Sequence, residues 1–442
     1  MPKLMAVRGP EKPNPARRVL SHTGHHRVLV PCAHIIRFGE GRIALVKPVS
    51  DVYYDPYDVE IERDPYPVYR RLREEAPLYY NEQYDFYALS RYEDVEQGLL
   101  DSTAYSSSRG GILELIKADI EIPPATLIFE DPPFHTLHRR LLSKVFTPKR
   151  MNILEPRVRE YCVQALDSIV GSDRFDFVAD LGRQMPMRVI GMLLGIPAEE
   201  QEAVRDEADA HVQTVPGEPR EFVDGNLANG EIFAEYVDWR AEHPSDDLMS
   251  ELIESEFEDE RGTVRRLTRQ EVMTYVSVIA GAGNETTCRL IGWAGKVLAE
   301  HPDQRRQLVD DPSRIPDAIE ELLRFEPPAH HTARYIACDV ELYGQNVPRG
   351  SVMMFLNGSA NRDDRRFPDG DSFDICRPIG AHLGFGYGIH YCLGAALARL
   401  EGRVALHEVL KRFQDWDVDY ENIRMASTAI VRGWAALPTF VG

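Results

Sequence analysis

The chain has 442 residues, of which 43% are hydrophobic, and a formal net charge of −20 at pH 7. This length allows two or three ordinary domains or one large one, with enough apolar residues for a sizeable core. The strong negative charge argues against a nucleic-acid partner, and no apolar run approaches the roughly 20 residues of a transmembrane helix.

The cysteines indicate a reducing compartment. They are scattered along the chain and form no Cys-x-x-Cys pair, so neither a disulfide framework nor a zinc site is predicted. The N-terminus also lacks the continuous apolar core of a signal peptide. We therefore expect a cytoplasmic protein. The six cysteines are Cys32, Cys162, Cys288, Cys338, Cys376 and Cys392.

Residues 1–50 differ in charge from the rest of the chain. They contain nine Lys or Arg and two acidic residues, whereas the whole chain is strongly acidic. Such a segment is typical of a poorly ordered basic arm ahead of a folded domain at 51–442. The arm could be a docking or membrane-surface tail, although a dispensable leader is the simpler interpretation.

Helix and hairpin signals alternate after the arm. Residues 64–76 open with prolines, as helix starts often do, and residues 77–87 alternate as in a β-hairpin. Another helix is predicted over 91–101, whereas 103–127 shows no clear period. The apolar residues of that last region and its continuation are Ile112, Leu113, Leu115, Ile116, Ile120, Ile122, Leu127 and Ile128.

A predicted helix beginning near Pro132 carries two basic groups. His135 and Arg139 are four residues apart and therefore share one helix face. Two hydrogen-bond donors on one face suit an anionic ligand. A solvated basic helix is the alternative.

Residues 151–300 read as almost entirely helical, with a solvated charged loop at Glu254–Arg261. One long helix is predicted over Arg269–Leu298. Ala282 and Gly283 lie inside it, and we expect these small residues to leave space beside the helix.

Glu285 and Thr286 follow directly on the small residues of the long helix. They place an acid and a hydroxyl beside the expected space. A helix crossing with one exposed Glu is the alternative interpretation. A dinucleotide fingerprint is excluded, because no strand precedes the glycines.

The next helix, Pro312–Arg324, contains Glu321 and Arg324 at a spacing that permits an ion pair. Locally this resembles an ordinary surface pair. Tyr335–Phe355 then alternates as two hairpins. The adjacent His330 and His331 could line a pocket or form hydrogen bonds within a turn.

A glycine-rich stretch from Phe385 to Gly394 contains Cys392 and precedes a strong helix former. Its glycines let the backbone bend tightly and approach a flat partner. The helix dipole favours a thiolate at this position, and such a thiolate can be an axial iron ligand. A buried structural cysteine is the ordinary alternative.

This stretch resembles the haem-binding signature of the cytochrome P450 family, Phe-Gly-x-Gly-x-His-x-Cys-x-Gly, with every fixed position filled. The resemblance extends from Asp55 to the end of the chain and is closest to the soluble bacterial type. It implies a mainly α, helix-rich single domain with small β-sheets. It also implies haem b (iron protoporphyrin IX) as cofactor.

The resemblance implies roles for individual residues. Cys392 would bind the iron, with Phe385 and Gly394 beside it, and Glu285 and Thr286 would organise the water that carries protons to dioxygen. Glu321 and Arg324 would form the family's buried Glu-x-x-Arg pair, with Arg377 as a third, basic member of the group. The residues expected at the haem propionates are His135, Arg139, Arg334 and His390.

The implied reaction is monooxygenation of a lipophilic molecule, such as a terpenoid, a steroid or a fatty acid. No flavin or iron–sulfur module is visible, so electrons would come from ferredoxin and an NAD(P)H-dependent ferredoxin reductase. A peroxide-driven peroxygenase and a non-catalytic haem-binding or sensing protein are the alternatives. The basic residues expected around the partner's docking surface are Arg140, Lys144, Arg399 and Arg403.

Overall fold

The computed structural model describes residues 51–210, 213–222, 230–429 and 431–442, together with the backbone of three short strands in 1–50. These strands are β1 (Arg18–Val19), β2 (Ile35–Phe38) and β3 (Arg42–Leu45). The predicted basic arm at 1–50 otherwise lies outside the described residues and stays a prediction.

Sixteen α-helices lie in the described part of the chain. They are α1 (Val59–Arg63), α2 (Tyr66–Glu75), α3 (Tyr92–Leu100), α4 (Leu113–Ala118), α5 (Phe134–Ser143), α6 (Pro148–Ile153), α7 (Glu155–Asp167), α8 (Met185–Leu194), α9 (Gln201–Ala210), α10 (Ala234–Glu242), α11 (Leu248–Glu254), α12 (Arg269–Glu300), α13 (Pro302–Asp310), α14 (Ile315–Phe325), α15 (Asn357–Ala360) and α16 (Ala395–Arg412). The predicted helix-rich fold with small sheets is confirmed. None of the described helices is long and apolar enough to cross a membrane.

The remaining strands are short. They are β4 (Leu78–Asn81), β5 (Phe86–Leu89), β6 (Tyr105–Ser106), β7 (Arg174–Asp176), β8 (Glu256–Glu258), β9 (Val264–Arg266), β10 (Thr332–Ile336), β11 (Val340–Leu342), β12 (Gln345–Val347), β13 (Val352–Phe355), β14 (Trp416–Val418), β15 (Arg424–Met425), β16 (Trp434–Ala436) and β17 (Pro438–Val441). The largest sheet has the order β4-β5-β13-β10-β6, in which only β5 and β13 are parallel. Two three-stranded sheets, β1-β11-β12 and β14-β17-β7, and three pairs, β15-β16, β2-β3 and β8-β9, complete the set.

The central strand β13 shows why the largest sheet is buried. All four of its residues are buried, and they alternate between two apolar clusters. Met353 and Phe355 belong to one cluster, whereas Val352 and Met354 belong to the other. Successive side chains of a strand point to opposite faces, so the chain covers this sheet on both sides.

The long helix α12 begins at a capping box. The Glu271 backbone N–H donates to the Thr268 hydroxyl, and the Thr268 backbone N–H donates to the Glu271 carboxylate at 2.7 Å. This reciprocal pair satisfies two backbone donors that a helix start leaves open. From there α12 runs through the largest apolar cluster together with α7, α8, α14 and α16.

One local prediction is wrong, and one region without a predicted element contains a helix. Glu254–Arg261 is not simply a solvated loop, because β8 and β9 pair there and Glu256 lies 3.4 Å from Arg266 across the pair. The region without a clear period contains α4. The β8–β9 hairpin and α4 are too short for a periodic pattern of apolar residues to identify them in the sequence.

Candidate active site

The stretch from Phe385 to Gly394 folds into a tight loop that ends where α16 begins. Gly386 and Gly388 have φ of +67° and +68°, a conformation that glycine adopts most readily. A Cβ at Gly388 would also lie 2.6 Å from the backbone oxygen of Leu99. The Cys392 backbone N–H donates to the Phe385 carbonyl at 2.9 Å. These backbone features therefore favour the loop shape that presents the Cys392 side chain.

The Cys392 thiol is half-buried in a mixed electrostatic environment. Burial raises its pKa, while the Gly394 backbone N–H and the guanidinium groups of Arg139 and Arg399 oppose the rise. A metal cation at the sulfur would add the positive charge that ionisation needs, since a coordinating thiol is deprotonated.

Arg399 supports the loop from α16. Its guanidinium lies over the Phe385 ring, 4.5 Å from the centroid. It donates to Glu320 at 2.6 and 2.9 Å and to the Tyr391 hydroxyl at 3.1 Å. Burial opposes ionisation of Glu320, but hydrogen bonds from His382 and Arg399 outweigh it and lower the pKa of Glu320 to about 2. Arg399 is thus engaged in internal contacts.

Two imidazoles and a guanidinium meet beside the loop. The rings of His135, on α5, and His390 are 4.4 Å apart, and His390 Nε2 lies 3.1 Å from the Ser107 hydroxyl. Arg139 donates to the Tyr391 carbonyl at 2.5 Å. His135 Nε2 is buried without a hydrogen-bond partner in the described part of the chain.

Arg334 adds a buried cation to this group. It donates only to the Thr332 hydroxyl at 2.9 Å and the Ala333 carbonyl at 2.7 Å among the described residues. Burial lowers its pKa to about 10, and Asp131 opposes that shift. Burial, followed by Arg334 and the other nearby cationic groups, lowers the pKa of His390 to about 2. A buried guanidinium that donates to no carboxylate among the described residues favours an anionic ligand.

Glu285 and Thr286 are neighbours on α12 and have different hydrogen-bond partners. The Glu285 carboxylate is buried and pairs with Arg289 at 3.0 Å, so the alternative of an exposed Glu is wrong. Arg289 also donates to the Trp434 carbonyl. The Thr286 hydroxyl donates to the Ala282 carbonyl at 2.7 Å. Its oxygen keeps lone pairs that can accept a further hydrogen bond.

The small residues of α12 have unequal surroundings. A Cβ at Gly283 would lie 2.5 Å from Ile190 of α8, whereas one at Gly281 would meet nothing within 4 Å. Ala282 is exposed. The expected space therefore lies beside Gly281 and Ala282, and the assignment to Gly283 is wrong because that glycine serves close helix packing.

The Glu321–Arg324 pair is buried. Arg324 donates to both Glu321 oxygens at 2.6 and 2.7 Å, and Arg377 Nε donates to Glu321 at 3.3 Å. Arg324 also donates to the Asn361 and Gly370 carbonyls. The implied three-membered structural group is present, and the surface-pair interpretation is wrong.

The apolar residues assigned to the pocket separate into different roles. Leu113 and Ile116 of α4 pack in an apolar cluster with Val352 and Met354, and Leu113 also borders a cavity. Ile128 is 44% exposed. These residues therefore do not form one continuous pocket wall.

Some supporting residues were not identified from the sequence. Asp131 accepts hydrogen bonds from the Ser106 hydroxyl and the Ser107 backbone N–H, and so fixes the strand that brings Ser107 to His390. The three consecutive serines at 106–108 were the only local signal. Glu320 gave no local signal, since its partner Arg399 lies far along the chain.

These residues fit a haem. No group of three or more His, Cys, Asp or Glu side chains in the described ranges could hold a bare metal ion. A single thiolate such as that of Cys392 can bind a metal whose other ligands come from a macrocycle. A Cβ at Gly394 would meet nothing within 4 Å, which leaves room beside the thiol. His135 Nε2 has no hydrogen-bond partner among the described residues, and Arg334 donates there only to a hydroxyl and a carbonyl, so both suit carboxylates such as haem propionates. The donor set is therefore that of a haem-thiolate enzyme.

Comparison with known proteins identifies the family. The family model described as Cytochrome P450 matches residues 225–428. A Mycobacterium tuberculosis protein assigned as cytochrome P450 123 is 41% identical over 396 residues, covering 88% of this chain and 97% of that protein. Vitamin D(3) 25-hydroxylase of Pseudonocardia autotrophica is 34% identical, covering 88% of this chain and 96% of that protein.

A solved structure agrees with this result. CYP109E1 from Bacillus megaterium in complex with testosterone has a TM-score of 0.78 at 29% identity, covering 87% of this chain and 99% of that one. The chain belongs to the cytochrome P450 family. It is a haem b-dependent monooxygenase, as the sequence motifs predicted.

Proposed function

We propose that this monooxygenase oxidises a lipophilic small molecule of the terpenoid, steroid or fatty-acid type, with electrons from a separate ferredoxin and an NAD(P)H-dependent ferredoxin reductase. The proposal depends above all on the half-buried Cys392 thiol just before α16, with the guanidinium of Arg139 near the sulfur. The relatives named for vitamin D(3) hydroxylation and for a testosterone complex support a lipophilic substrate.

In this proposal Cys392 is the protein ligand of the iron. Phe385 packs against the loop, and Gly394 contributes a backbone N–H near the sulfur. When bound, haem supplies the iron centre for oxygen activation, and the thiolate increases electron density at that iron. The residues that would hold the propionates are His135, Arg139, Arg334 and His390.

Glu285 and Thr286 would move protons. Thr286 donates its own proton to the Ala282 carbonyl and can accept a hydrogen bond from water in the adjoining space. Glu285 is held by Arg289 and would have to leave that pair to exchange protons with solvent. In this proposal the Thr286 hydroxyl determines where a proton is delivered, and the Glu285 carboxylate determines the rate at which protons arrive.

Thr286→Ala should uncouple oxygen consumption from product formation. Substrate affinity and the haem spectrum should change little, while NAD(P)H and oxygen are still consumed and peroxide is released. General acid–base groups typically contribute ~10²–10⁴-fold, and bypass by water reduces this, so product per NAD(P)H should fall at least about tenfold. The measurement is product per NAD(P)H, with peroxide assayed in parallel.

Thr286→Ser is the matched control, since it keeps the hydroxyl and should retain most of the coupling. Glu285→Gln should slow the overall rate instead. Wild-type coupling in Thr286→Ala would mean that this hydroxyl only satisfies the Ala282 carbonyl.

Two other activities are distinguishable from this proposal. A peroxygenase would turn over with peroxide and need no ferredoxin, and a sensing protein would show no turnover with either electron source. The Glu285–Thr286 pair favours the ferredoxin-dependent reaction, because a peroxide-driven enzyme has less need for proton delivery. Comparing product formation from NAD(P)H plus ferredoxin with that from peroxide separates the three.

The ferredoxin would meet a smaller basic surface than the sequence indicated. Arg399 is engaged by Glu320, so it positions the loop, and we retain Arg140, Lys144 and Arg403 as docking residues. Arg140 and Lys144 border a cleft of about 310 Å³ that Glu256, Glu258 and Asp259 also line. These acids reduce the local positive potential.

Salt should slow reduction of the enzyme by ferredoxin, because it screens an encounter steered by opposite charges. Arg140→Glu should lower the second-order rate of reduction about tenfold at low salt and flatten its salt dependence. Arg349→Glu changes the net charge equally at an exposed turn between β12 and β13, and should have little effect. Equal effects of both variants, or reduction rates insensitive to ionic strength, would contradict a docking surface.

We further propose that residues 51–442 form the catalytic domain, that 1–50 is dispensable for turnover, and that the protein works in the cytoplasm. None of the five cysteines that the structure describes forms a disulfide, which is consistent with a reducing compartment.

A further inference from the structure

A small cavity lies between α4, the segment 213–222 and the C-terminal loop at 427–429. Its volume is about 40 Å³, above the roughly 10–15 Å³ that a cavity needs to hold one water molecule. The lining is largely polar and includes Tyr57, Glu62, Glu114, Thr214, Glu218 and His331. No Lys or Arg side chain is among the described residues that line it.

Contacts of the segment 213–222 close this cavity. The Thr214 backbone N–H donates to the Ser427 carbonyl at 2.9 Å, and the two hydroxyls are 2.8 Å apart. Gln213 pairs with Thr428 in an isolated β-bridge. A larger molecule that enters between the segment and the C-terminal loop would have to break these contacts.

His330 and His331 give the cavity an unusual polar group. Their rings are joined by a hydrogen bond of 3.2 Å between His331 Nδ1 and His330 Nε2. Burial lowers the pKa of His331 to about 4 and that of His330 well below its usual value, so both rings are neutral. In either tautomeric arrangement His331 Nε2 has no hydrogen-bond partner within the described residues and is available to a ligand.

The carboxylates of the same cavity determine which ligand fits. Burial raises the pKa of Glu62 to about 7, with Arg432 opposing the shift. Burial also raises the pKa of Glu114, against hydrogen bonds from its own backbone, from the Tyr57 hydroxyl and from the Arg220 backbone, and against the positive charge of Arg220. Partly buried acids with raised pKa values disfavour additional negative charge, and they can accept hydrogen bonds from a donor.

We propose that His331, Glu114 and Glu62 bind the polar end of the substrate, and that this end is a hydrogen-bond donor, a hydroxyl or an amine, rather than a carboxylate. The inference rests on the proposed function, since the cavity recognises a substrate only if the chain oxidises a small molecule. Within the proposed classes, it selects terpenoid or steroid alcohols and amines over fatty acids.

Two probes with the same carbon chain test this proposal. Dodecan-1-ol and dodecanoic acid are titrated into the ferric holoenzyme, and binding is followed by the shift of the Soret band. The alcohol should bind at least about tenfold more tightly than the acid, a difference of about 1.4 kcal/mol. Glu114→Gln removes charge at nearly constant shape and should reduce the ratio of the two dissociation constants severalfold. His331→Phe should weaken alcohol binding about tenfold.

Glu121→Gln is the matched control, because Glu121 is exposed and does not line the cavity. Retention of the wild-type spectrum of the reduced, carbon monoxide-bound form verifies that each variant is folded and loaded. Equal or tighter binding of the acid, absence of binding of the alcohol, or an unchanged ratio in Glu114→Gln would overturn the proposal. The titration needs no electrons and therefore does not depend on turnover. If the predicted preference for the alcohol is observed but NAD(P)H and ferredoxin drive no turnover, the proposed function is overturned and the inference about this cavity is not.

Discussion

Cys392→Ala should abolish NAD(P)H-driven turnover. The backbone hydrogen bond from Cys392 to the Phe385 carbonyl does not involve the thiol, so the loop should keep its shape. The variant would then lack the sulfur while the cationic group around Arg139 and Arg334 stays in place. We expect turnover to fall more than about a thousandfold, which corresponds to about 4 kcal/mol of activation free energy.

Cys376→Ala is the matched control for this change. Cys376 is an exposed cysteine that contacts Arg314, and its loss should leave turnover near the wild-type level. Haem content is measured for both variants alongside turnover. Substantial NAD(P)H-driven turnover in Cys392→Ala would mean that another group binds the iron.

Glu321→Ala should cause the largest loss of stability of any change predicted for this chain. Its partner Arg324 is fully buried and also donates to the Asn361, Gly370 and Ser372 carbonyls. Removing the carboxylate leaves a buried guanidinium without its counter-ion, which typically costs about 3–5 kcal/mol. Glu321 also accepts from the Asp374 backbone N–H, so the segment leading to the Cys392 loop loses an anchor.

The measurement is the urea midpoint of the holoenzyme, followed by far-ultraviolet circular dichroism and by the haem absorption. Glu160→Ala removes the partner of Arg157 in an exposed pair on α7, and exposed pairs contribute about 0–1 kcal/mol. Glu321→Ala should lower the urea midpoint clearly more than Glu160→Ala does. Equal, small shifts would show that the buried pair is replaceable at little cost.

The central elements of the fold could be predicted from local sequence. The glycines of the Cys392 loop permit the positive φ values that the turn needs, so their spacing identifies the turn, and the following Ala- and Leu-rich run identifies α16. The long apolar pattern of α12 is similarly clear, although the helix extends two residues beyond the predicted Leu298. Such elements depend on neighbouring residues, which a single sequence displays.

Elements and contacts that depend on distant residues could not be predicted. Gly283 was interpreted as open space because the sequence does not show that Ile190 of α8 packs against it. Arg399 was interpreted as a surface charge because its partner Glu320 is remote in sequence. The β8–β9 hairpin has strands of three residues, too short for alternation to outweigh their charged composition.

The two histidines illustrate an intermediate case. Their adjacency in the sequence was unusual enough to leave two interpretations open, pocket lining or hydrogen bonding in a turn. The structure combines both, because His330 bonds to His331 while His331 borders the cavity. Only the fold could decide this, since α4 and the segment 213–222 approach His331 from distant parts of the chain.

The absorption spectrum of the reduced wild-type enzyme with carbon monoxide tests the central claim most directly. Thiolate ligation by Cys392 predicts a strongly red-shifted Soret band, which Cys392→Ala lacks and Cys376→Ala retains. A wild-type spectrum without the red shift, or a red-shifted band that persists in Cys392→Ala, would contradict the assignment of Cys392 as the iron ligand.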